Sequence, residues 1–325
     1  MTKTGLAREA IRTVLVIHDK PGELREMLEG RFPDIRFVYA ARDSEVAPAL
    51  RAGAPQAVLS LKHSGFPGEV HRPAILYPTV RWFHVGGSGY EHIRPWDAER
   101  VTVTNSAGVL ARCLAETVTG AMLALNGNFH RYIAQQREKV WKPLAYRSLE
   151  GQTLLIVGLG VIGRFVADNA KALGMRVLAT RRSAAPHGAV DELHPMEALA
   201  EIIGRADIVS IHLRLTDETR HLVNAKVLRA MKAGAMLINT SRGPIIDERA
   251  LIEALQSGHI GGAYLDVFES EPLPASSPLW DMPNVLLTPH ASDNVGDWPQ
   301  RITRMFIDNL ERWRRGEPLL NEVKP

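Results

Sequence analysis

Thr153-Leu-Leu-Ile-Val-Gly158-Leu-Gly160-Val-Ile-Gly163 decides how this chain is read. A strand-like run, 153–157, leads directly into G-x-G-x-x-G, and residues 164–173 then follow a helical pattern. In such a strand–turn–helix unit Gly158 permits the tight turn. Gly160 removes a side chain so that backbone can reach a pyrophosphate, and Gly163 lets the helix pack close to the strand. The first N–H groups of that helix are free to meet phosphate oxygens, and Val161 and Ile162 are expected beside the cofactor. Another strand, expected at 176–180, completes the unit. The pattern predicts a dinucleotide site. The alternative is a glycine-rich turn in an α/β fold with no dinucleotide.

The end of the second strand should carry the residue that reads the adenosine ribose. A carboxylate there accepts from the ribose hydroxyls of NAD. This chain has Thr180-Arg181-Arg182-Ser183 instead, with no carboxylate before Asp191. Two guanidiniums suit a 2′-phosphate, which they can hold by charge-assisted bonds. NADP is therefore expected as the preferred cofactor. The alternative is a solvated basic pair on a surface turn, with NAD in use.

Outward from the fingerprint, short strands alternate with helical segments. In the first part, strands are expected at 14–18, 35–40, 57–61, 80–84 and 101–104. Amphipathic stretches lie between them, as at 22–30 and 44–52. A long apolar helix is expected over 107–126 and a polar helical stretch over 128–140. The alternation then resumes with strands at 153–157, 176–180, 207–212, 235–240, 262–267 and 285–288. An amphipathic helix, 300–315, closes the chain. This order predicts an α/β protein with two doubly wound parallel sheets, the second unit beginning near Asn105. The C-terminal helix is expected to complete the first, because the strong strands stop at Thr288.

Composition agrees with that class. Of 325 residues, 45% are hydrophobic and 23% charged, enough for two cores. The net charge of +3 is small and scattered, which argues against a nucleic-acid partner. The single cysteine, Cys113, rules out an intrachain disulfide framework. Residues 1–11 lack the apolar core of a secretory signal, and no apolar run is long enough for a membrane span. A cytoplasmic protein is expected, with no membrane partner and no metal.

Five segments together resemble the D-isomer-specific 2-hydroxyacid dehydrogenases over nearly the whole chain. They are the 158–163 fingerprint; 207–213 with 216–222; Met231-Lys-Ala-Gly-Ala-Met-Leu-Ile-Asn-Thr-Ser-Arg-Gly243; Gly262-Ala-Tyr-Leu-Asp-Val-Phe-Glu-Ser-Glu-Pro-Leu273; and Asn284-Val-Leu-Leu-Thr-Pro-His290. The resemblance implies a Rossmann cofactor domain, 105–290, inserted into a flavodoxin-like substrate domain, 1–104 and 291–325. The active site would lie between them. A homodimer is implied, with the long helix after Asn105 at its interface. Trp141-Lys-Pro-Leu144 and the arginine pair look most like the glyoxylate/hydroxypyruvate reductase branch.

The family's catalytic Arg, Glu and His fall on Arg242, Glu271 and His290, with Glu271 preferred to Glu269 because Pro272 follows it. That chemistry suits a small 2-keto or D-2-hydroxy acid. Arg242 can hold the substrate carboxylate and polarise the neighbouring carbonyl. His290 can protonate the developing alkoxide, and Glu271 can keep His290 charged and oriented. Thr240 and Asp266 are expected beside the cofactor. The loop Gly87, Ser88 and Gly89 is expected to offer backbone N–H groups to the substrate carboxylate, and Lys62 to add charge.

Two departures from the family stand out. His212-Leu-Arg214 has arginine where proline is common. Ser292 after His290 is small, as usual, but Asp293 and Asn294 follow it, and a charge at Asp293 would either alter substrate preference or cap a helix. Two other functions fit parts of the pattern: a dinucleotide-sensing, corepressor-like interaction protein, and a dehydrogenase of another acid such as formate or phosphite.

Overall fold

The computed structural model describes residues 9–61, 68–182 and 187–325. The chain divides into two compact units, 1–110 with 295–325, and 111–294. The family resemblance places those junctions at 104/105 and 290/291.

The first unit contains β1 (Thr13–Ile17), β2 (Arg36–Ala40), β3 (Ala57–Ser60), β4 (Trp82–Val85) and β5 (Thr102–Asn105). The second contains β6 (Thr153–Val157), β7 (Arg176–Thr180), β8 (Glu192–His194), β9 (Ile208–Ile211), β10 (Ala235–Asn239), β11 (Ile260–Leu265) and β12 (Val285–Leu287). The chain then returns to the first unit with β13 (Glu322–Val323).

In the first unit the sheet order is β13-β5-β4-β3-β1-β2, parallel except for β13. This is the flavodoxin-like order. Every residue of β1 is buried, as expected of a central parallel strand covered on both faces. One cover is the helix Asp43–Gly53, which buries Val46, Ala49 and Leu50. On the other face the C-terminal helix Trp298–Arg315 buries Ile302, Phe306, Leu310 and Trp313, a helical stripe. Phe306 stacks on Trp82 with ring centroids 4.6 Å apart, which fastens this helix to the sheet.

The second unit's order is β12-β11-β10-β9-β6-β7-β8, all parallel. This is the Rossmann order with one added strand. The helix Ala111–Asn126 packs on the helix Val161–Ala172, where Asn169 Nδ2 donates to Thr119 Oγ1 at 3.0 Å. The opposite face is covered by Val227, Leu228, Leu251 and Leu255. The long helix begins at Ala111, not at 107, because Gly108 takes a φ of +91° that no right-handed helix allows. The strands expected at 80–84 and 262–267 lie about two residues from those positions, at Trp82–Val85 and Ile260–Leu265. Among the described residues no helix is long and apolar enough to cross a membrane.

Candidate active site

β6 lies between β7 and β9, so the chain leaves it to one side and later returns to the other. Parallel sheets bind ligands outside the carboxyl ends of their strands at such a switch point. Gly158 follows β6 there with φ +101°, and a Cβ on it would stand 2.6 Å from the His212 carbonyl oxygen. At Gly163 a Cβ would stand 2.8 Å from the Gly158 carbonyl oxygen, so its absence lets helix and turn touch. Gly160 differs: it is exposed, and a Cβ there meets nothing within 4 Å. Its missing side chain answers no need of the fold.

Gly160 is also the N-cap of the helix Val161–Ala172, and no side chain caps that end. The first-turn N–H groups are thus left for a ligand. Val161 beside them is 56% exposed. The Thr240 hydroxyl, just after β10, is buried without a hydrogen-bond partner. An open glycine cradle, an uncapped helix end and an orphaned hydroxyl all fit a dinucleotide.

Thr180 and Asp266, both expected at the cofactor, are turned inward. Thr180 is fully buried, and its carbonyl oxygen accepts from Gly158 N at 3.2 Å and Leu159 N at 2.9 Å. It braces the glycine turn from below. Arg181 next to it is half-buried, Arg182 is exposed, and the Arg181 N–H donates to the His194 carbonyl of β8 at 3.0 Å. Ser183 and Lys62 lie outside the described residues.

Three adjacent strands, β10, β11 and β12, deliver the expected catalytic residues. Arg242 follows β10 in a turn held by Asn239, whose Nδ2 donates to the Arg242 carbonyl at 3.1 Å. The same asparagine's Oδ1 accepts from the Ser241 N–H and hydroxyl. Glu271 and His290 meet directly, Nδ1 to Oε2 at 2.8 Å. The other Glu271 oxygen accepts from Phe268 N at 3.1 Å. Glu269, by contrast, is paired with His221 at 2.7 Å.

The charges reinforce one another. The hydrogen bond to Glu271 raises the His290 pKa above its ordinary 6.5, against the effects of burial and of Arg242. Burial would raise Glu271, but the His290 hydrogen bond and charge, with Arg242, hold it below the usual carboxylate value. Both shifts favour the charged forms, a carboxylate beside an imidazolium, and the bond to Glu271 uses Nδ1, leaving Nε2 as the ring's other nitrogen.

His290 stands in the left-handed region, φ +51°, which a non-glycine residue occupies only when its surroundings insist. Asp266 supplies that insistence. It is 1% exposed, and its carboxylate accepts from Thr288 Oγ1 at 2.5 Å, Ala291 N at 2.8 Å and Ser292 N at 3.1 Å. Its carbonyl accepts from His290 N at 2.8 Å. Tyr264 bonds both Thr288 and Ser292 through its hydroxyl, and Thr117 donates to the Ser292 carbonyl at 2.8 Å. Sequence reasoning missed Asn239, Tyr264, Thr288 and Ser292 as supports. For Asn239 and Thr288 the signal was a polar residue just where a strand ends; Tyr264 lies inside β11 and Ser292 in the loop after β12, and neither carried such a signal.

In the other unit, Gly87, Ser88 and Gly89 follow β4. The Gly87 and Ser88 carbonyls are pinned by Ser106 N at 3.0 Å and Asn105 Nδ2 at 2.7 Å.

Residues 119–292 match the model of the NAD-binding domain of the D-isomer specific 2-hydroxyacid dehydrogenases. The chain is 38% identical over 272 residues to a glyoxylate reductase of Korarchaeum cryptofilum, covering 80% of each chain. Its fold matches a D-isomer specific 2-hydroxyacid dehydrogenase family protein from Aeromonas salmonicida, with TM-score 0.86, 31% identity and coverage of 97% and 99% of the two chains. It also matches an NADPH-dependent glyoxylate/hydroxypyruvate reductase from Sinorhizobium meliloti in complex with NADP and sulfate, with TM-score 0.80, 26% identity and coverage of 96% and 98%. The Rossmann sheet, the glycine turn and these matches agree: the chain belongs to the D-isomer specific 2-hydroxyacid dehydrogenase family, oxidoreductases that use a nicotinamide dinucleotide.

Proposed function

We propose that the protein reduces short 2-keto acids, glyoxylate and hydroxypyruvate first, to the corresponding 2-hydroxy acids, with NADPH preferred to NADH. The observation that carries this reading is the 2.8 Å His290–Glu271 pair within electrostatic reach of Arg242. Arg242 binds the substrate carboxylate and draws electron density toward the keto oxygen. The bound nicotinamide supplies the hydride that reaches the keto carbon. As charge gathers on the oxygen, His290 delivers the Nε2 proton, and Glu271 holds the ring and its charge in place. In the reverse direction the neutral ring takes that proton back.

The glycine turn, the uncapped helix end and Thr240 hold the dinucleotide, and Arg181 and Arg182 receive the 2′-phosphate. The Sinorhizobium relative, described as NADPH-dependent, supports that choice. A homodimer is supported by several large apolar side chains exposed on the segment after the long helix. They include Phe129 at 57%, Ile133 at 51%, Trp141 at 100% and Tyr146 at 68%. Exposed apolar patches mark protein interfaces.

The test is a panel of 2-keto acids with each reduced cofactor, followed by loss of nicotinamide absorbance. Turnover of glyoxylate and hydroxypyruvate with NADPH is expected. Cofactor binding without turnover on any keto acid would refute the reading and favour a sensing role.

A further inference from the structure

His221 has no part in the proposed reaction, yet it holds a costly backbone conformation. Its φ is +50°, in the left-handed region that glycine occupies freely and a bulkier residue only at a cost. Two contacts follow from its place. The His221 N–H donates to the Pro244 carbonyl at 2.9 Å, two residues past Arg242. The ring Nε2 stands 2.7 Å from Oε1 of Glu269, two residues before Glu271. Glycine would keep the first contact, so the second is what histidine adds.

The two loops that His221 joins also touch elsewhere. A Cβ on Gly243 would overlap the Phe268 carbonyl, so the Arg242 turn lies against the Glu271 loop with no side chain between them. Glu269 N donates to Glu248 Oε2 at 3.0 Å, and Glu248 N donates to Glu269 Oε1 at 3.4 Å, at the start of the helix Glu248–Gln256. Alongside, Val223 N donates to the Ile245 carbonyl and Asp247 N to the Val223 carbonyl, both at 3.1 Å. Segments 221–223, 243–248 and 268–271 thus close a ring of contacts within the second unit, and Glu269 Oε1 meets both His221 and Glu248 in it.

We propose that His221 is a positioning residue: it clamps the turn carrying Arg242 to the loop carrying Glu271, and so sets the guanidinium in register with the Glu271–His290 pair. The inference rests on the proposed roles of those three residues. Strand pairing fixes only where each loop begins. β10 ends at Asn239 and β11 at Leu265, well before Arg242 and Glu271, so contacts beyond the sheet must hold both residues in place. Reacting groups need that precision, since a displacement near 1 Å can cost ~10²-fold in rate. His221 acts through Pro244 on one loop and through Glu269 on the other.

The test compares the whole protein with its His221→Gly, His221→Asn and His221→Gln variants. Glycine and asparagine accept the left-handed backbone but are too short to reach Glu269, whereas the glutamine amide nitrogen can span about the length of the ring. The first two should melt within about 2 °C of the parent, as surface changes do, and bind NADPH as tightly by fluorescence. Their kcat/KM for glyoxylate should fall about tenfold, and His221→Gln should keep most of the activity. An NMR titration of His290 gives a readout free of turnover. The bond from Glu271 raises the His290 pKa above 6.5, so a loosened loop should bring it back toward 6.5 in the glycine and asparagine variants. Parent-like kcat/KM with an unmoved His290 titration overturns the inference. So does a melting temperature that falls in step with activity, which would make His221 a plain fold contact. Absence of turnover by the parent on every keto acid would instead overturn the proposed function, and the His290 titration would still decide the role of His221.

Discussion

Gly158 and Gly160 should fail in different ways when each is changed to alanine, and Gly160 is the informative one. Its Cβ would meet no atom within 4 Å, and its φ of −90° with ψ of −158° is extended backbone open to any residue. Gly160→Ala should therefore leave stability within about 0.5 kcal/mol of the parent, as ordinary surface changes do. The new methyl would stand where the pyrophosphate must come close to the backbone. A misfit of that size costs ~1–3 kcal/mol in a packed contact, or roughly a 5- to 150-fold weaker cofactor. Gly158→Ala should do the opposite. An alanine at φ +101°, with its Cβ 2.6 Å from the His212 carbonyl oxygen, combines backbone strain with a clash. Together these come to ~2–5 kcal/mol. At ~2–4 °C per kcal/mol for a unit of this size, the melting temperature should drop by about 5–15 °C. Thermal unfolding without ligand, and NADPH binding by fluorescence, separate the two effects. If Gly160→Ala bound NADPH as tightly as the parent, the pyrophosphate would not lie on this turn, and the cofactor site would have to be redrawn.

Other outcomes follow from the same geometry. His290→Ala should lower kcat ~10²–10⁴-fold when chemistry limits the rate, with little change in cofactor affinity. Reduction needs His290 protonated, and Glu271 raises its pKa, so kcat/KM should hold at low pH and fall as pH rises through that pKa; Glu271→Gln should move the fall to lower pH, and a profile that stays put would remove Glu271 from the role. Arg181→Asp should reverse the cofactor preference, which a charged hydrogen bond of ~1–3 kcal/mol sets at roughly 5- to 150-fold, and equal kcat/KM with NADH and NADPH at low salt would show the pair is not in the site. His84 is fully buried between Thr104 and Ser106, and burial pushes its pKa down to about 3. The unfolded chain then takes up this proton first, so stability should fall by about 1.4 kcal/mol per pH unit below 6.5 toward 3 and be fully present above 6.5; urea midpoints of the parent and His84→Gln at pH 7 and 5 should differ in slope.

Much of this architecture was legible because its determinants are local. Gly158, Gly160 and Gly163 announce a turn by residue type alone, and the apolar runs of β6, β7 and β9 announce buried strands. Arg242, Glu271 and His290 were nominated by the resemblance, each in a run of distinctive neighbours just beyond a strand, and Glu271 and His290 meet in the structure. What escaped notice depends on partners distant in sequence. β8 is three half-buried residues, Glu192–His194, and β13 only two, Glu322–Val323; neither has the length or β-branched content to be seen without the strand it pairs with. The helix start was misplaced because one left-handed glycine, Gly108, outweighs an apolar run.

Asp266 is a further case within the site. Its place after β11 suggested a residue beside the cofactor, and the structure shows its carboxylate holding the loop 288–292. Three donors from that loop converge on one buried carboxylate, and each would be an unsatisfied buried group without it. The loop in turn holds His290 in a backbone conformation it would not choose unaided, with Nδ1 on Glu271. In the proposed role of general acid, His290 would have to hold its geometry to within a fraction of an ångström, and a polar loop alone does not provide that. The buried Asp266–Thr288–Tyr264–Ser292 network does, and it accounts for costly polar groups at the floor of the site, where apolar packing would have served the fold as well.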